Sequence, residues 1–480
     1  MKENCHRLHK NLFTSSGWKA VENQLKLQII RILTVFFLLI LFTACQVQQD
    51  LEFERDIVPI ITNRCLTCHR EKGIAPIELN SYSQLDKYRK NIILQVKSGR
   101  MPPWPADQNY TTFVGQMCLR PGEKDTLISW LTNQTQNNTK SVSKEKIKIP
   151  HTNLPYPKPD TIISFGKRVF LKGDGLDKFF LISIPHNFLQ DTVIKSIAFF
   201  PGNYSKVHHV NGHLVQYDSI DINVPRGTTV IPNDSLDPES AFTLMGLRNA
   251  DGTFPTLTQS AFNYLPGVLP INYPDGIGGF KTKKHCSFLL RDIHYGPAYS
   301  DTSDSSSIGI YFAGKRPDRL TQEIQMGTLG ITDIEPPLLI PAESVKKFTT
   351  RYPVTKDLSV LTVNPHMHRL GWSFKAFAYN DKGDTISLIN IPKWDFNWQY
   401  FYTFVNPVHI PAGYVIQAVG EYNNTIHNPF NPFHPPKDVS ERAGSMRTSD
   451  EMFQFILTVM DYRKGDESIK LDQVVPRGTK

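Results

Sequence analysis

Cysteine is scarce in this chain, six among 480 residues, and beyond Cys45 and the pair Cys65 and Cys68 only Cys118 and Cys286 follow. No second cysteine pair exists to complete a four-thiolate zinc site. A large charge of one sign is also missing: 53 basic and 45 acidic residues give +8. The first 44 residues hold six Lys/Arg against Glu3 and Glu22, so +8 minus +4 leaves +4 on the other 436. That is too little to argue for a nucleic-acid partner. After residue 45 no apolar run is long enough to span a membrane. What is present, 40% apolar, 20% charged and 11% aromatic residues, excludes disorder, collagen and coiled coil as global descriptions. At roughly 100 to 200 residues per domain the length predicts two to four domains.

The 11-residue apolar-rich run at 32–42 follows a cationic stretch and has the length of a signal-peptide core rather than a spanning helix. It ends Leu41-Phe42-Thr43-Ala44-Cys45, and small residues before a cysteine resemble a bacterial lipobox in which Cys45 becomes the lipidated first residue. Phe42 stands where a Leu-like residue is usual, so plain secretion with a leftover thiol stays open. Both readings predict export, to the periplasm or cell envelope. In the first, a lipid anchor is the only membrane attachment.

Composition divides the remainder. Residues 51–132 show helix-like periodicity, as in Ile57, Ile60, Ile61 and later Leu127, Ile128, Leu131. Residues 133–151 are polar and reach Pro150, the composition of a linker. From 152 onward short alternating runs such as KFFLISI, KVHHVNGHLVQY and FQFILTVMDY predict a sandwich or barrel. That region is long for one sandwich, so it divides near GKRPDRL, giving 152–318 and 319–475.

Cys65-Leu66-Thr67-Cys68-His69 is CxxCH, the attachment signature of c-type haem: two thioethers to the vinyl groups and a histidine under the iron. A zinc half-site or a disulfide are the alternatives. Met101, in Gly99-Arg100-Met101-Pro102-Pro103-Trp104, is the first candidate for the other axial ligand and Met117 the second. Met101 packing on the porphyrin edge is the alternative role. The module resembles a small class I cytochrome c.

A second constellation is spread through the β-rich part. His208 and His209 are neighbours, which on a regular strand point to opposite faces, so both reach one ion only at a bulge or strand end. His294 closes a strand-like run. His366 and His368, spaced i, i+2, share one strand face, and Met452 precedes the run FQFILTVM. Thioether with imidazole favours copper, particularly Cu(I). Asp292, on the strand face of His294, is a candidate hydrogen-bond partner for a ligand imidazole, with a surface charge as the alternative. His213 is an alternative ligand or a core histidine, His427 and His434 read as turn residues, and Tyr295 as core.

The fragments VHH, IHYGP, PHMHRLG and TSDEM, in that order, resemble the copper type II monooxygenases, the group of peptidylglycine alpha-hydroxylating and dopamine beta-monooxygenase, over about residues 152–470. LPGVLP and HNPFNPFHPP look more like bacterial members with a fused cytochrome. The resemblance implies a first, electron-storing copper on His208, His209 and His294, and a second, oxygen-binding copper on the catalytic set His366, His368 and Met452. The partners implied are a small organic substrate, O2 and an external one-electron donor, ascorbate or a redox protein. Asn364 replaces the family's carboxylate-holding Arg, and Gln454 and Ile456 replace its Asn and Tyr, which puts a glycine-extended peptide in doubt. The family's disulfides are largely missing, and Cys118 and Cys286 pair or stay free. The resulting expectation is a multidomain chain: a small all-α cytochrome c domain followed by two all-β jelly-roll-like sandwich domains. Its function is copper-dependent C–H hydroxylation fed through haem c. A copper and haem electron carrier without oxygenase activity is the competing function, and a cell-surface sandwich whose histidines bind nothing is the third.

Overall fold

The computed structural model describes residues 51–71, 73–133, 147, 158–217, 227–232, 238–249, 251–253, 255–258, 260–266, 268, 270–314, 317–441 and 450–471, with Lys26, Gln28 and Ile29. The expected leader core, Cys45 and nearly all of the expected linker lie outside the described residues. No helix among the described residues is long and apolar enough to cross a membrane.

From Phe53 onward the chain forms one compact unit. Strand accounts for 39% of the structure and helix for 14%, so sheets decide the architecture. In the first β region a six-stranded antiparallel sheet centres on Lys178–Asn187, His285–Tyr295 and Val207–Gln216. A four-stranded sheet, in which Ser307–Phe312 pairs with Thr192–Phe200, shares its core: Phe288 and Leu214 of one sheet lie in one apolar cluster with Ile310 and Phe199 of the other. Gly212 lies under the ring of Phe262, where a Cβ would sit 2.2 Å from ring carbon, so only glycine lets the strand Phe262–Tyr264 close on this edge.

In the second β region Leu358–Met367 runs between Phe453–Asp461 and Tyr402–Ile410, facing a five-stranded sheet that contains Gly371–Tyr379. Phe374 touches Phe453 and Phe455 across the gap, with ring centroids 5.8 and 5.6 Å apart. Both faces of Leu358–Met367 and Phe453–Asp461 are covered, and nearly all of their residues are buried, polar ones such as Ser359 and Thr362 included. On the outer face Leu361 and Met460 are buried with Tyr273 and Ile277, residues of the first β region. The two β regions are thereby pressed together.

The expectation of an all-α cytochrome c domain followed by two jelly-roll-like sandwiches is overturned: the molecule is mostly β, with several sheets, and no all-α domain is evident among the described residues. Helices do form at Val58–Arg64, Tyr82–Lys97 and Pro121–Asn133, the second capped by Ser81, which accepts the Gln84 N–H at 3.3 Å. Between the last two, Pro102, Pro103 and Pro105 forbid helix. That stretch lies down on the sheets instead. Ala106 and Phe113 are buried in the core of the second β region, Tyr400 donates to the Pro103 carbonyl at 2.6 Å, and the Val114 N–H donates to the Thr403 carbonyl at 2.8 Å. The helices bury Ile57, Leu85, Leu127 and Trp130 among themselves, while the loop between the last two shares its core with the sheets.

Candidate metal centre and CxxCH cavity

His208, His209 and His294 each present a ligand atom within 4.8 Å of the others. The strand register explains how adjacent histidines share one face. His294 pairs with His209 and Tyr295 with Val207, so His208 is the extra residue of a β-bulge. Ring centroids of His208 and His209 each lie 4.9 Å from that of His294. Phe179 stacks on His294 at 4.4 Å and 8°, and the Nε2 of His294 hydrogen-bonds Asp177 Oδ1 at 2.8 Å, which turns Nδ1 away from that carboxylate. Burial, then the neighbouring His209 and His294, push the His208 imidazole down to about 3, so it is neutral at pH 7. Three imidazoles converging on one point are a donor set for copper or zinc, and they fit the copper implied by the resemblance. Asp177 is held below the usual carboxylate range by its hydrogen bond to His294, against the opposing effect of burial, with Arg369 and His208 assisting. Asp177 is 117 positions from His294 and no sequence signal pointed to it. The side chain of Asp292, the candidate for that role, lies outside those described.

His366 and His368 have ring centroids 5.1 Å apart. In the ladder between Leu358–Met367 and Phe453–Asp461, His366 pairs with Gln454 and Met367 with Phe453. The ladder ends at that pair, and His368 and Met452 are the next residue on each strand, which brings Met452 to the same strand end as the two imidazoles. His368 hydrogen-bonds the Asp450 carbonyl through Nδ1 at 2.5 Å, which fixes the tautomer and leaves Nε2 as the ligand atom. The Glu451 carboxylate, buried to 1% exposure, accepts the N–H of His368 at 3.0 Å and of Leu370 at 2.7 Å. Burial pushes its pKa up to about 8, opposed by these amide hydrogen bonds. Sequence reasoning passed over Glu451, although it stands next to Met452 in the quoted TSDEM. Tyr422 donates to the Met452 carbonyl at 2.7 Å, so backbone bonds hold this strand entry from two sides. Two imidazoles and a thioether fit a copper that cycles through Cu(I).

Cys65, Cys68 and His69 line an apolar cavity with Met101 and Met117. The Nδ1 of His69 hydrogen-bonds the Ile77 carbonyl at 2.9 Å, leaving Nε2 to face a metal. Burial pushes the thiols up, to about 12 for Cys65 and about 11 for Cys68. This lining fits an apolar macrocycle held by two thioethers and one imidazole. Both Met101 and Met117 reach the cavity, so the two axial candidates remain side by side. The same cavity is also walled by His208 and Trp398.

The remaining candidates fall elsewhere. His213 is buried and hydrogen-bonds the Thr258 carbonyl at 2.9 Å. Tyr295 is in the core and donates to Asp304 at 2.9 Å, and His427 and His434 are exposed. Cys118 and Cys286 are both free thiols. Asn364, in place of the family's Arg, donates to the Tyr400 carbonyl at 2.9 Å, and Gln454 donates to the Thr328 carbonyl at 2.6 Å, so both amides are committed to the fold.

No protein-family model matches the chain, and no curated protein does. Among solved structures it is similar to one of infectious bursal disease virus Gx strain, 9% identical over 66% of this chain and 77% of that one, at a TM-score of 0.17. Another is the atomic structure of Sulfolobus Turreted Icosahedral Virus, 10% identical over 63% of this chain and 89% of that one, at 0.19. Likeness at this level carries no argument.

Proposed function

We propose that this protein is an exported copper-dependent monooxygenase that hydroxylates a C–H bond of a small organic substrate with O2, drawing electrons through a haem attached at Cys65 and Cys68. The observation that carries the reading is the convergence of His208, His209 and His294, from two strands and a bulge, to within 4.8 Å. A second set with a thioether, His366, His368 and Met452, supports oxygen chemistry rather than storage alone. Bound copper supplies one-electron redox chemistry and an open position for O2. The chain's own part is to hold the imidazoles in place: Asp177 orients His294, the Asp450 carbonyl orients His368, and Glu451 fixes the backbone on which His368 sits. The committed amides of Asn364 and Gln454 favour a small substrate without a carboxylate to be clamped.

Copper and haem analysis of the exported protein, with paramagnetic resonance and oxygen uptake, tests the reading. Two cupric signals per haem and substrate-dependent uptake are expected. Full loading without uptake for any C–H substrate would return the protein to a copper and haem electron carrier. Absence of copper would remove both.

A further inference from the structure

Trp398 is placed at a junction. Its ring lies 5.9 Å from the His208 imidazole at 49°, and both side chains line the cavity that also holds Cys65, Cys68, His69 and Met101. Two residues earlier on the same loop Phe396 meets the His368 ring edge-on at 5.9 Å. One short segment therefore touches the three-histidine set, the histidine pair and the CxxCH cavity.

The junction is fixed in place. Trp398 stacks on Tyr400 at 6.1 Å and 12°, and Tyr400 ties down the Met101 loop through its bond to the Pro103 carbonyl. The Asp107 N–H donates to the Asn390 carbonyl at 2.8 Å, and the Arg70 guanidinium sits 5.8 Å from the centre of the Tyr204 ring. The cavity is thus docked on both β regions rather than tethered at a distance.

We infer that Trp398 and His208 are the electron-entry contact between the two cofactor sites, a wall shared by a haem at Cys65, Cys68 and His69 and a copper at His208, His209 and His294. The inference rests on the function proposed above. In the step one electron leaves ferrous haem, which becomes ferric, and one cupric ion becomes cuprous; no bond forms or breaks and no proton moves. The haem is reduced again by an external one-electron donor, an ascorbate-class reductant or a redox protein. His208 acts as ligand and conductor together, and Trp398 is a positioning residue that keeps the imidazole against the cavity.

The test uses the full chain loaded with haem and copper, in wild-type form and as Trp398→Leu and Trp398→Phe. Haem is reduced by a flash under anaerobic conditions, and its reoxidation is followed with the decay of the cupric signal. The expected result is haem-to-copper transfer slowed by an order of magnitude in Trp398→Leu and less in Trp398→Phe, while the haem absorption bands and direct copper reduction by ascorbate are unchanged. Should Trp398→Leu fail to fold, Trp398→Phe, which keeps an aromatic ring in the packing, carries the test. Unaltered transfer in the folded variants overturns the inference and leaves the proposed function standing. A ferric haem with two imidazole ligands that is lost in His208→Ala also overturns it, because His208 would then belong to the iron. A wild-type protein that takes up no haem or no copper overturns the function and the inference together.

Discussion

Asp177 and His294 meet at 2.8 Å, carboxylate to Nε2, although 117 positions separate them. The pairing decides which nitrogen of His294 carries its proton, and so which one faces His208 and His209. A carboxylate behind a ligand imidazole also raises its basicity. Asp177→Asn keeps the shape and removes the charge. It is expected to weaken copper binding at the three-histidine site by roughly 10- to 100-fold. Competition titration of the cupric ion against a chelator measures this, and an affinity equal to wild type would show that Asp177 is only a surface neighbour.

Glu451 serves the other site through the backbone. Its two oxygens accept the N–H groups of His368 and Leu370, and the side chain is buried. Glu451→Ala strands both amides, at a cost of about 1–3 kcal/mol for each. Glu451→Gln retains one acceptor oxygen and is expected to lose less. Urea midpoints at constant slope read the difference. A midpoint for Glu451→Ala within error of wild type would mean that the amides find other acceptors and that Glu451 does not hold the strand end.

Within the second β region Arg319 binds both oxygens of Asp466, one of them at 2.8 Å, and Ser359 donates to the same carboxylate at 2.6 Å. Burial raises the pKa of Asp466, but the Arg319 and Ser359 hydrogen bonds outweigh it and hold the group at about 2, against an ordinary 3.8. The folded-state pKa is depressed, so this stabilisation is complete above the unfolded value near 4 and is lost as the pH falls toward 2. The gain is on the order of 2 kcal/mol. Denaturation midpoints from pH 6 to pH 2 are expected to fall in that window for wild type and less steeply for Asp466→Asn. Parallel curves for the two proteins would refute the assignment.

Much of the candidate site was legible because its signals are local. The i, i+2 spacing of His366 and His368 puts two imidazoles on one face of any strand, and adjacent His208 and His209 required a bulge or a strand end before both could reach one ion. The bulge lies at His208. Asp177 was not legible, because its contact with His294 is made by neighbouring strands of a sheet and leaves no mark on spacing. The fold was misjudged for a related reason. The periodicity of residues 51–132 correctly suggested helices, but periodicity does not say what an element packs against, and Phe113 packs on Phe404 of a sheet. Trp398 carries no local sequence signal, because only tertiary structure sets it beside His208.

Met452 tests the second site most sharply, because its position can be kept while its chemistry is removed. The residue is buried, with 5% exposure, next to the last ladder pair of Met367 and Phe453, and Tyr422 holds its carbonyl. Met452→Ile preserves apolar volume, so its stability is expected to change by less than about 1.5 kcal/mol. The soft ligand is lost, and with it the preference of the His366 and His368 site for Cu(I). The expected outcome is a urea midpoint shifted by no more than that stability change allows, weaker cuprous binding at that site, unaltered cupric resonance from the three-histidine site and no substrate-dependent oxygen uptake. Met452→His, which offers imidazole in place of thioether, is expected to recover metal binding without recovering uptake. If Met452→Ile consumed oxygen at the wild-type rate, the thioether would be packing alone, and the oxygen chemistry would have to be sought away from His366 and His368.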